Sequence, residues 1–358
     1  MLIRKRLIGQ GWWWLVGMLA LQACSVERNN PFSKAYHNTL ARYNGYFLAR
    51  EEMRAVERQV LENHVDDYNR VLTIFPTVTP QMASAADGSL EEIIKKASIP
   101  IQRHKNSRWV DDSYVLLGRA RRYKLDYDEA VTTFKYVWGK GEGDAARHAA
   151  LVHLMRTFLA MEEPRNAMSV ADYLRREELN AENRSEFFLT LAHHYHGLKE
   201  WDKVTQFLEA ALPEIKQRDR RARINFILGQ IYQEQGQDQP SFDHYRDVLK
   251  RNPPYELAFF TKLNMAQVTE LGEGGDVRRI RKYFRRLLRD QKNEEYQDRI
   301  YYEMARFELK QDKVPEAVDY LRESVRVEGA RPVQKAYSYL MLGEVHYDRL
   351  RDFNLAKV

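Results

Sequence analysis

Ile227-Leu228-Gly229-Gln230-Ile231-Tyr232, followed by Gly236, Ser241, Tyr245, Val248 and Pro253, decides how this chain folds. Two amphipathic helices fit this stretch: one carries Gly229 where a second helix must come close, and the other presents Ser241 and Tyr245 four residues apart on one face. The same grammar recurs along the chain. The residue equivalent to Gly229 falls at Gly118, Met155, Ala192, Gly229, Ala266, Ala305 and Gly343, with successive spacings of 37, 37, 37, 37, 39 and 38. Twelve residues later comes a small or branched residue (Ala130, Ala167, Val204, Ser241, Ala317), and four further on a bulky or apolar one (Phe134, Ala171, Leu208, Tyr245, Leu321). A single helix pair cannot bury its apolar stripe, so such pairs stack on their neighbours.

The Leu-Gly pair, the aromatic three residues on, the small residues of the second helix and the closing Pro resemble the tetratricopeptide repeat. The expected fold is all-α, a tetratricopeptide-repeat-like α-solenoid wound as a right-handed superhelix, with an N-terminal helical cap. The period exceeds the standard repeat of about 34 residues. The excess falls between repeats, at Gly139-Lys140-Gly141-Glu142-Gly143 and over 212–220, and inside the fifth repeat at Gly272-Glu273-Gly274-Gly275-Asp276. Met155 departs from the small-residue rule and is expected to loosen the second repeat. We expect a lipoprotein signal peptide at 1–23, a lipidated N-terminus and irregular cap at 24–106, and about seven helix pairs over 107–358, the last truncated. Within the cap, helices are expected at about 32–62 and 89–98, with an extended linker from Phe75 to Asp87. Val358 falls inside what should be the second helix of the seventh repeat, which reads as a chain that continues.

The first 24 residues read as an address. Arg4, Lys5 and Arg6 precede an apolar run from Leu7 to Ala23, too short and too close to the N-terminus for a membrane span. The run ends in Leu21-Gln22-Ala23-Cys24, which resembles a bacterial lipobox despite Gln22, and Cys24 is the only cysteine of the chain. Lipidation at Cys24 is therefore expected, with each buried methylene contributing about 0.8 kcal/mol to anchoring. Ser25 stands where Asp would argue for retention at the inner membrane, so we expect the periplasmic side of the outer membrane.

Composition limits the chemistry. Of 358 residues, 44% are hydrophobic and 30% charged, which excludes disorder from low hydrophobicity. One cysteine excludes a disulfide framework and multi-cysteine zinc sites. The formal charge of +6 falls to +3 once the three basic residues of the leader are removed, leaving 54 basic groups against 51 acidic ones. That balance is no nucleic-acid footprint. No G-x-S-x-G, H-E-x-x-H or phosphate-cradling glycine loop occurs. His193 and His196 share a helix face but lack a third ligand within one turn, so they read as groove lining rather than a metal site. The pair Asp111-Asp112 fits a helix start better than acid/base work, because adjacent helical residues point about 100° apart. No catalytic residue, metal or cofactor is expected.

Two surfaces remain for partners. The concave groove of such a fold is lined chiefly by the first helix of each pair, here by Arg119, Arg122, Arg156, His193, His196, Gln230, Gln233, Gln267, Tyr302, Arg306 and Tyr347, with Glu270 and Glu344 in the same rows. This lining suits an extended peptide or a helix of another protein. Charge reversal at Arg119 and Arg122 is expected to weaken a partner without unfolding the chain. The second surface is the helix over 277–289, whose Ile280, Phe284, Leu287 and Leu288 face inward and leave Arg278, Arg281, Lys282, Arg285 and Arg289 as a dense basic face, either solvated or a docking patch for an acidic partner or anionic glycolipid.

Several stretches carry a narrower resemblance: Tyr43-Asn44-Gly45-Tyr46-Phe47-Leu48-Ala49, the run from Ile94 through His104 to Tyr114, Lys250-Arg251-Asn252-Pro253-Pro254-Tyr255-Glu256-Leu257, and Leu263-Asn264-Met265-Ala266-Gln267. Together they resemble the PorW/SprE family, repeat-bearing lipoproteins of the type IX secretion and gliding machinery. The resemblance implies a non-enzymatic scaffold linking an outer-membrane translocon to a periplasmic ring, and it implies no catalytic residues. Two alternatives stay open: a repeat lipoprotein of the outer-membrane β-barrel assembly machinery, or the repeat region of a longer cell-wall enzyme.

Overall fold

Residues 31–269 and 277–357 are described by the computed structural model. The fifth-repeat insertion and Cys24 lie outside them. Helices Pro31–Ala41 and Phe47–Glu62 are joined through a π-helical turn, Arg42–Tyr46. The next helix is longer than the sequence suggests, running Pro80–Arg103. The reason is local: Thr79 accepts a hydrogen bond from the Met82 N–H at 3.2 Å, and Pro80 takes the first helical position, where its missing donor costs nothing. The irregular connection is therefore 63–79.

Helix pairs follow as Val110–Tyr123 with Tyr127–Lys140, Asp144–Ala160 with Pro164–Leu174, Ala181–Gly197 with Trp201–Ala211, Arg218–Glu234 with Asp238–Leu249, Tyr255–Val268 with Val277–Arg289, and Gln297–Lys310 with Val314–Arg326. These are repeats 1 to 6, each with a helix A and a helix B. In the seventh, Pro332–Glu344 passes into a π-helical turn, Val345–Arg349, and the short 3-10 turn Leu355–Lys357 stands where helix B was expected.

The A–B contact works by matched volume. A Cβ on Gly118 would lie 2.5 Å from Phe134, and one on Gly229 would lie 2.5 Å from Tyr245. Ala192 and Ala305 instead match Leu208 and Leu321 in the register, all fully buried. Met155 inverts the pairing: it is fully buried, and its helix B offers only Ala167 and Ala171 at the matching positions, both fully buried too. The second repeat is thus not loosened, because the volume has moved from helix B to helix A.

The turn between A and B repeats as strictly as the contact. Leu125, Glu162, Lys199, Gly236 and Asp312, each seven residues after the contact position, all have φ between 56° and 71°. In each case the next residue's N–H reaches back to the carbonyl five residues earlier, as Asp126 does to Arg121 at 2.9 Å and Gln237 to Tyr232 at 2.8 Å. This is a Schellman cap. Only repeat 4 places glycine there, and a side chain in the left-handed region costs about 1–2 kcal/mol. Lys199→Gly is expected to stabilise the chain by up to about 1 kcal/mol and Gly236→Ala to destabilise it by about as much, as read by urea titration of the intact protein.

The chain divides into two compact units: residues up to 66 with 73–215, and residues 67–72 with 216 onward. The cap is the first layer of unit 1, where Leu90, Ile93 and Ala97 pack with Leu116, Leu117 and Ala120 of repeat 1. Repeats 1 to 3 continue that core through Phe134, Leu151, Met155, Leu174 and Phe187. Unit 2 contains repeats 4 to 7 together with six residues that come from far upstream.

Candidate functional site

In unit 1 the predicted groove residues are engaged inside the unit, by side chains outside the predicted rows. Arg119 donates to the Glu57 carboxylate at 2.6 Å, reaching the helix that precedes the repeats. Arg156 donates to Thr190 Oγ1 at 2.9 Å and pairs with the Glu186 carboxylate. The guanidinium of Arg156 also lies 4.0 Å from the ring centroid of Phe75, and the His193 ring meets the same phenyl edge-on at 5.4 Å. Phe75 thus sits between two residues expected to face a partner. Arg122 lies over the Tyr123 ring at 4.7 Å, and His196 packs against Trp201 at 5.4 Å. Because Arg119 is committed to Glu57, reversing its charge would oppose two carboxylates inside unit 1, so it cannot serve as a neutral probe of a partner.

Burial and the guanidiniums of Arg119, Arg156 and Arg122 hold His153 well below the usual imidazole range. Burial, Arg156 and the neighbouring histidines bring His193 down to about 4. Both rings are therefore neutral in the folded unit, while in the unfolded chain they protonate near pH 6.5. The unfolded state binds more protons between these values, so stability is full above about pH 6.5 and falls as pH drops towards 4. His193 alone is expected to remove on the order of 2 kcal/mol by pH 5. Thermal melts between pH 7 and pH 5 check this, and His193→Asn should flatten that part of the slope.

The carboxylate pair is explained without catalysis. Asp111 accepts from the N–H groups of Glu142 and Gly143, at 2.8 and 3.4 Å, and so fixes the loop to repeat 2. Asp112 is pushed up to about 6 by burial, Asp111 and Glu182.

Unit 2 holds the least anticipated feature. Residues 67–72, hereafter the strap, lie against the first helices of repeats 4 to 7. Asp67 opens a turn, its carboxylate accepting from the Asn69 N–H at 3.0 Å and its carbonyl from the Arg70 N–H at 3.1 Å. Tyr68 at the turn's tip stacks on Phe260, centroids 3.8 Å apart, and meets Phe226 edge-on at 5.6 Å. The side-chain amide of Gln230 then reads the main chain in both directions, donating to the Arg70 carbonyl at 2.8 Å and accepting from the Leu72 N–H at 2.9 Å. Arg299 donates to the Tyr68 carbonyl at 3.1 Å, and Tyr337 donates to Asp67 at 2.9 Å while accepting from Arg70 at 2.7 Å.

Of the other predicted groove residues, Gln233 accepts from the Tyr245 hydroxyl at 2.8 Å, and Gln267 donates to the Glu303 carboxylate at 2.9 Å. Arg306 pairs with Glu303 at 3.2 Å, Tyr302 is buried, and Tyr347 stays half exposed beside Phe353. Glu303 is the hub that periodicity did not reveal. It is fully buried, and Arg299 pairs with it at 2.8 Å. Burial pushes its carboxyl up, but Arg306 and Arg299 outweigh burial and hold it below the usual carboxylate range. Charged residues on several faces of Gln297–Lys310 are the signal that could have exposed this helix as a central one.

On the basic helix Val277–Arg289, Arg278, Lys282, Arg285 and Arg289 are exposed, whereas Arg281 turns to the buried Glu308 carboxylate of repeat 6 in a two-pronged pair. Among the described residues no helix is long and apolar enough to cross a membrane.

Stacked helix pairs with a recurring small-against-large contact and a recurring cap make this an all-α, tetratricopeptide-repeat-like solenoid protein. No family profile and no curated protein matches the chain. Similar solved structures include a tetratricopeptide repeat protein from Parabacteroides merdae, 11% identical over 86% of this chain and 100% of that one with a TM-score of 0.36. Human IFIT1 bound to m7Gppp-AAAA is 14% identical over 84% and 86% of the two chains, with a TM-score of 0.37. The Cut9-Hcn1 hetero-tetramer of the APC/C is 14% identical over 72% of this chain, which spans only 47% of that one, with a TM-score of 0.39.

Proposed function

We propose that this chain is a non-enzymatic scaffold of the cell envelope, anchored by lipid at Cys24 on the periplasmic side of the outer membrane, that links components of the type IX secretion and gliding machinery through protein–protein contacts. The observation that carries the scaffold reading is the strap: the first helices of unit 2 hold a peptide-like segment through its main chain and one aromatic side chain, which is how a protein surface recognises another protein's segment.

The narrower reading has support from folding as well as wording. Two stretches that carry the family resemblance fold onto each other in unit 1. Gly45 of the π-helical turn has its Cα so near Pro100 that a Cβ would lie 2.5 Å from the ring. Tyr46 stacks on Trp109 at 4.7 Å, and Asn38 accepts from Ser107 and from the Arg108 N–H at 3.0 and 2.9 Å. Arg42 and Arg108 lie over the Trp109 ring at 5.5 and 4.9 Å, so the cluster presents exposed arginines and aromatics, the composition of interface anchors.

Affinity purification of the tagged full-length protein from gently solubilised envelopes, followed by mass spectrometry, tests this. Recovery of the type IX translocon or ring components is expected. Recovery of the barrel-assembly complex, or of no envelope protein, would overturn the secretion role.

A further inference from the structure

We infer that the face of unit 2 that holds residues 67–72 is a peptide-binding site occupied in cis, and that its ligand in trans is a short segment with the same chemistry: a turn opened by an acidic residue, tipped by an aromatic ring, and followed by an apolar pair whose main chain is read by Gln230. The inference rests on the scaffold reading only for the existence of a partner, and the test below needs neither the envelope nor the secretion machinery.

The strap is bound the way a ligand is bound. Its helix-array neighbours lie between about 158 and 270 residues away along the chain, whereas the helix-on-helix contacts within unit 2 run between helices one or two places apart. A repeat array stacks by such nearest-neighbour contacts, and the strap takes no part in that order. Repeats 4 to 7 follow one another from Arg218 onward, and the helix-pair contacts of repeats 4 and 6 are filled by their own side chains, Tyr245 against Gly229 and Leu321 in register with Ala305. What holds the strap is side chains against its main chain, the Tyr68 ring against two phenyl rings, and side-chain hydrogen bonds from Tyr337 to Asp67 and from Asn69 to Gln334. Gln230 reads a carbonyl and an N–H two residues apart, which any segment offers in that conformation, so it selects shape rather than sequence. Selectivity comes from the slot between Phe260 and Phe226, where Tyr68 is 8% exposed, and from Tyr337, which joins an acidic side chain at one end of the turn to a basic one at the other. Val71 and Leu72 supply the apolar pair, both buried.

A tethered occupant sets the terms of exchange. A trans peptide meets an open site only in the fraction of molecules whose strap is out, and its apparent affinity falls by that fraction. Weakening the strap without touching the site should therefore reveal binding that the unaltered chain hides. The probe is a fluorescein-labelled peptide spanning residues 65–73, titrated into the full-length chain and into its Tyr68→Ala variant. The variant is expected to bind at least about ten-fold tighter than the unaltered chain, since the stacked ring it lacks no longer competes for the slot. Adding Gln230→Ala to that variant should weaken binding by about ten-fold, and a peptide whose own tyrosine is replaced by alanine should fail to bind. A Tyr68→Ala chain with native circular dichroism and no gain in affinity would overturn the proposal. If that variant does not fold, hydrogen exchange on the unaltered chain decides. Faster exchange at the Leu72 amide than at Phe226 to Leu228, by two orders of magnitude or about 2.7 kcal/mol, is the expected result, and equal protection would mean the strap is a fixed part of the core.

Discussion

Glu303→Ala is expected to cost unit 2 about 3–5 kcal/mol, the penalty for removing one partner of a buried ion pair and leaving the others charged. The effect is large because three groups lose the same buried carboxylate at once: Arg299, Arg306 and Gln267. Arg299 is 4% exposed and Gln267 is buried, so neither can turn to water, and Arg306 loses the carboxylate it faces at 3.2 Å. Arg299 also anchors the Tyr68 carbonyl, so the strap should loosen with the hub. Glu303→Gln keeps an acceptor for Gln267 but loses the charge, and should cost about half as much. The sign with pH follows from the depressed carboxyl: its contribution is present above the ordinary value of 4.5 and fades as pH falls through the folded value, so the gap between Glu303→Ala and the unaltered chain should close in acid. Denaturant titrations at pH 7 and below pH 4 check both statements. A loss under 1 kcal/mol at neutral pH would mean that Arg299 and Arg306 reach solvent or another acceptor.

Gly229→Ala is the second large expectation, about 1–3 kcal/mol from overpacking by one methyl group. The new Cβ would stand 2.5 Å from Tyr245 Cε1 and 2.7 Å from Cδ1. That ring cannot retreat, because it is fully buried and its hydroxyl donates to Gln233 and accepts from Asn264 at 2.8 and 3.0 Å. The same logic gives a cleaner cycle in repeat 1, where Gly118 meets Phe134, a ring with no polar group to strand. Gly118→Ala and Phe134→Leu should each destabilise, yet the double variant recreates the Ala192 and Leu208 pairing of repeat 3 and should recover much of the loss. A strictly additive double variant would show that the helices slide apart rather than clash.

Gly229 stands out in the sequence, whereas nothing in its periodicity marks Glu303. Gly229 and Tyr245 stood out because a period of 37 residues kept returning a small residue and, sixteen later, a larger one. Met155 breaks the same pattern without loosening its repeat. Reading one side of a contact gave a bulky intruder, while Ala167 and Ala171 across from it supplied the room. The turns were half legible: Gly236 advertised a left-handed residue, but Leu125, Glu162, Lys199 and Asp312 adopt that conformation because the flanking helices over-determine it.

The groove shows the sharper limit. Its rows were found by counting from the contact residue, yet counting says which residues face inward and not what they meet. Gln230 meets the strap, Arg156 meets Phe75, and Arg119 meets Glu57, all partners supplied by residues before the first repeat.

The repeat, its register and the small-against-large pairs of repeats 1, 3, 4 and 6 are legible in the sequence, because these are one-repeat properties set by spacing and side-chain size. That residues 67–72 belong with helices some 160 to 270 positions later, and that Glu303 is a buried hub, emerges from the folded chain alone. Those contacts carry no period. They depend on where a long excursion of the chain comes to rest, and no spacing of residues along a single strand of letters encodes that.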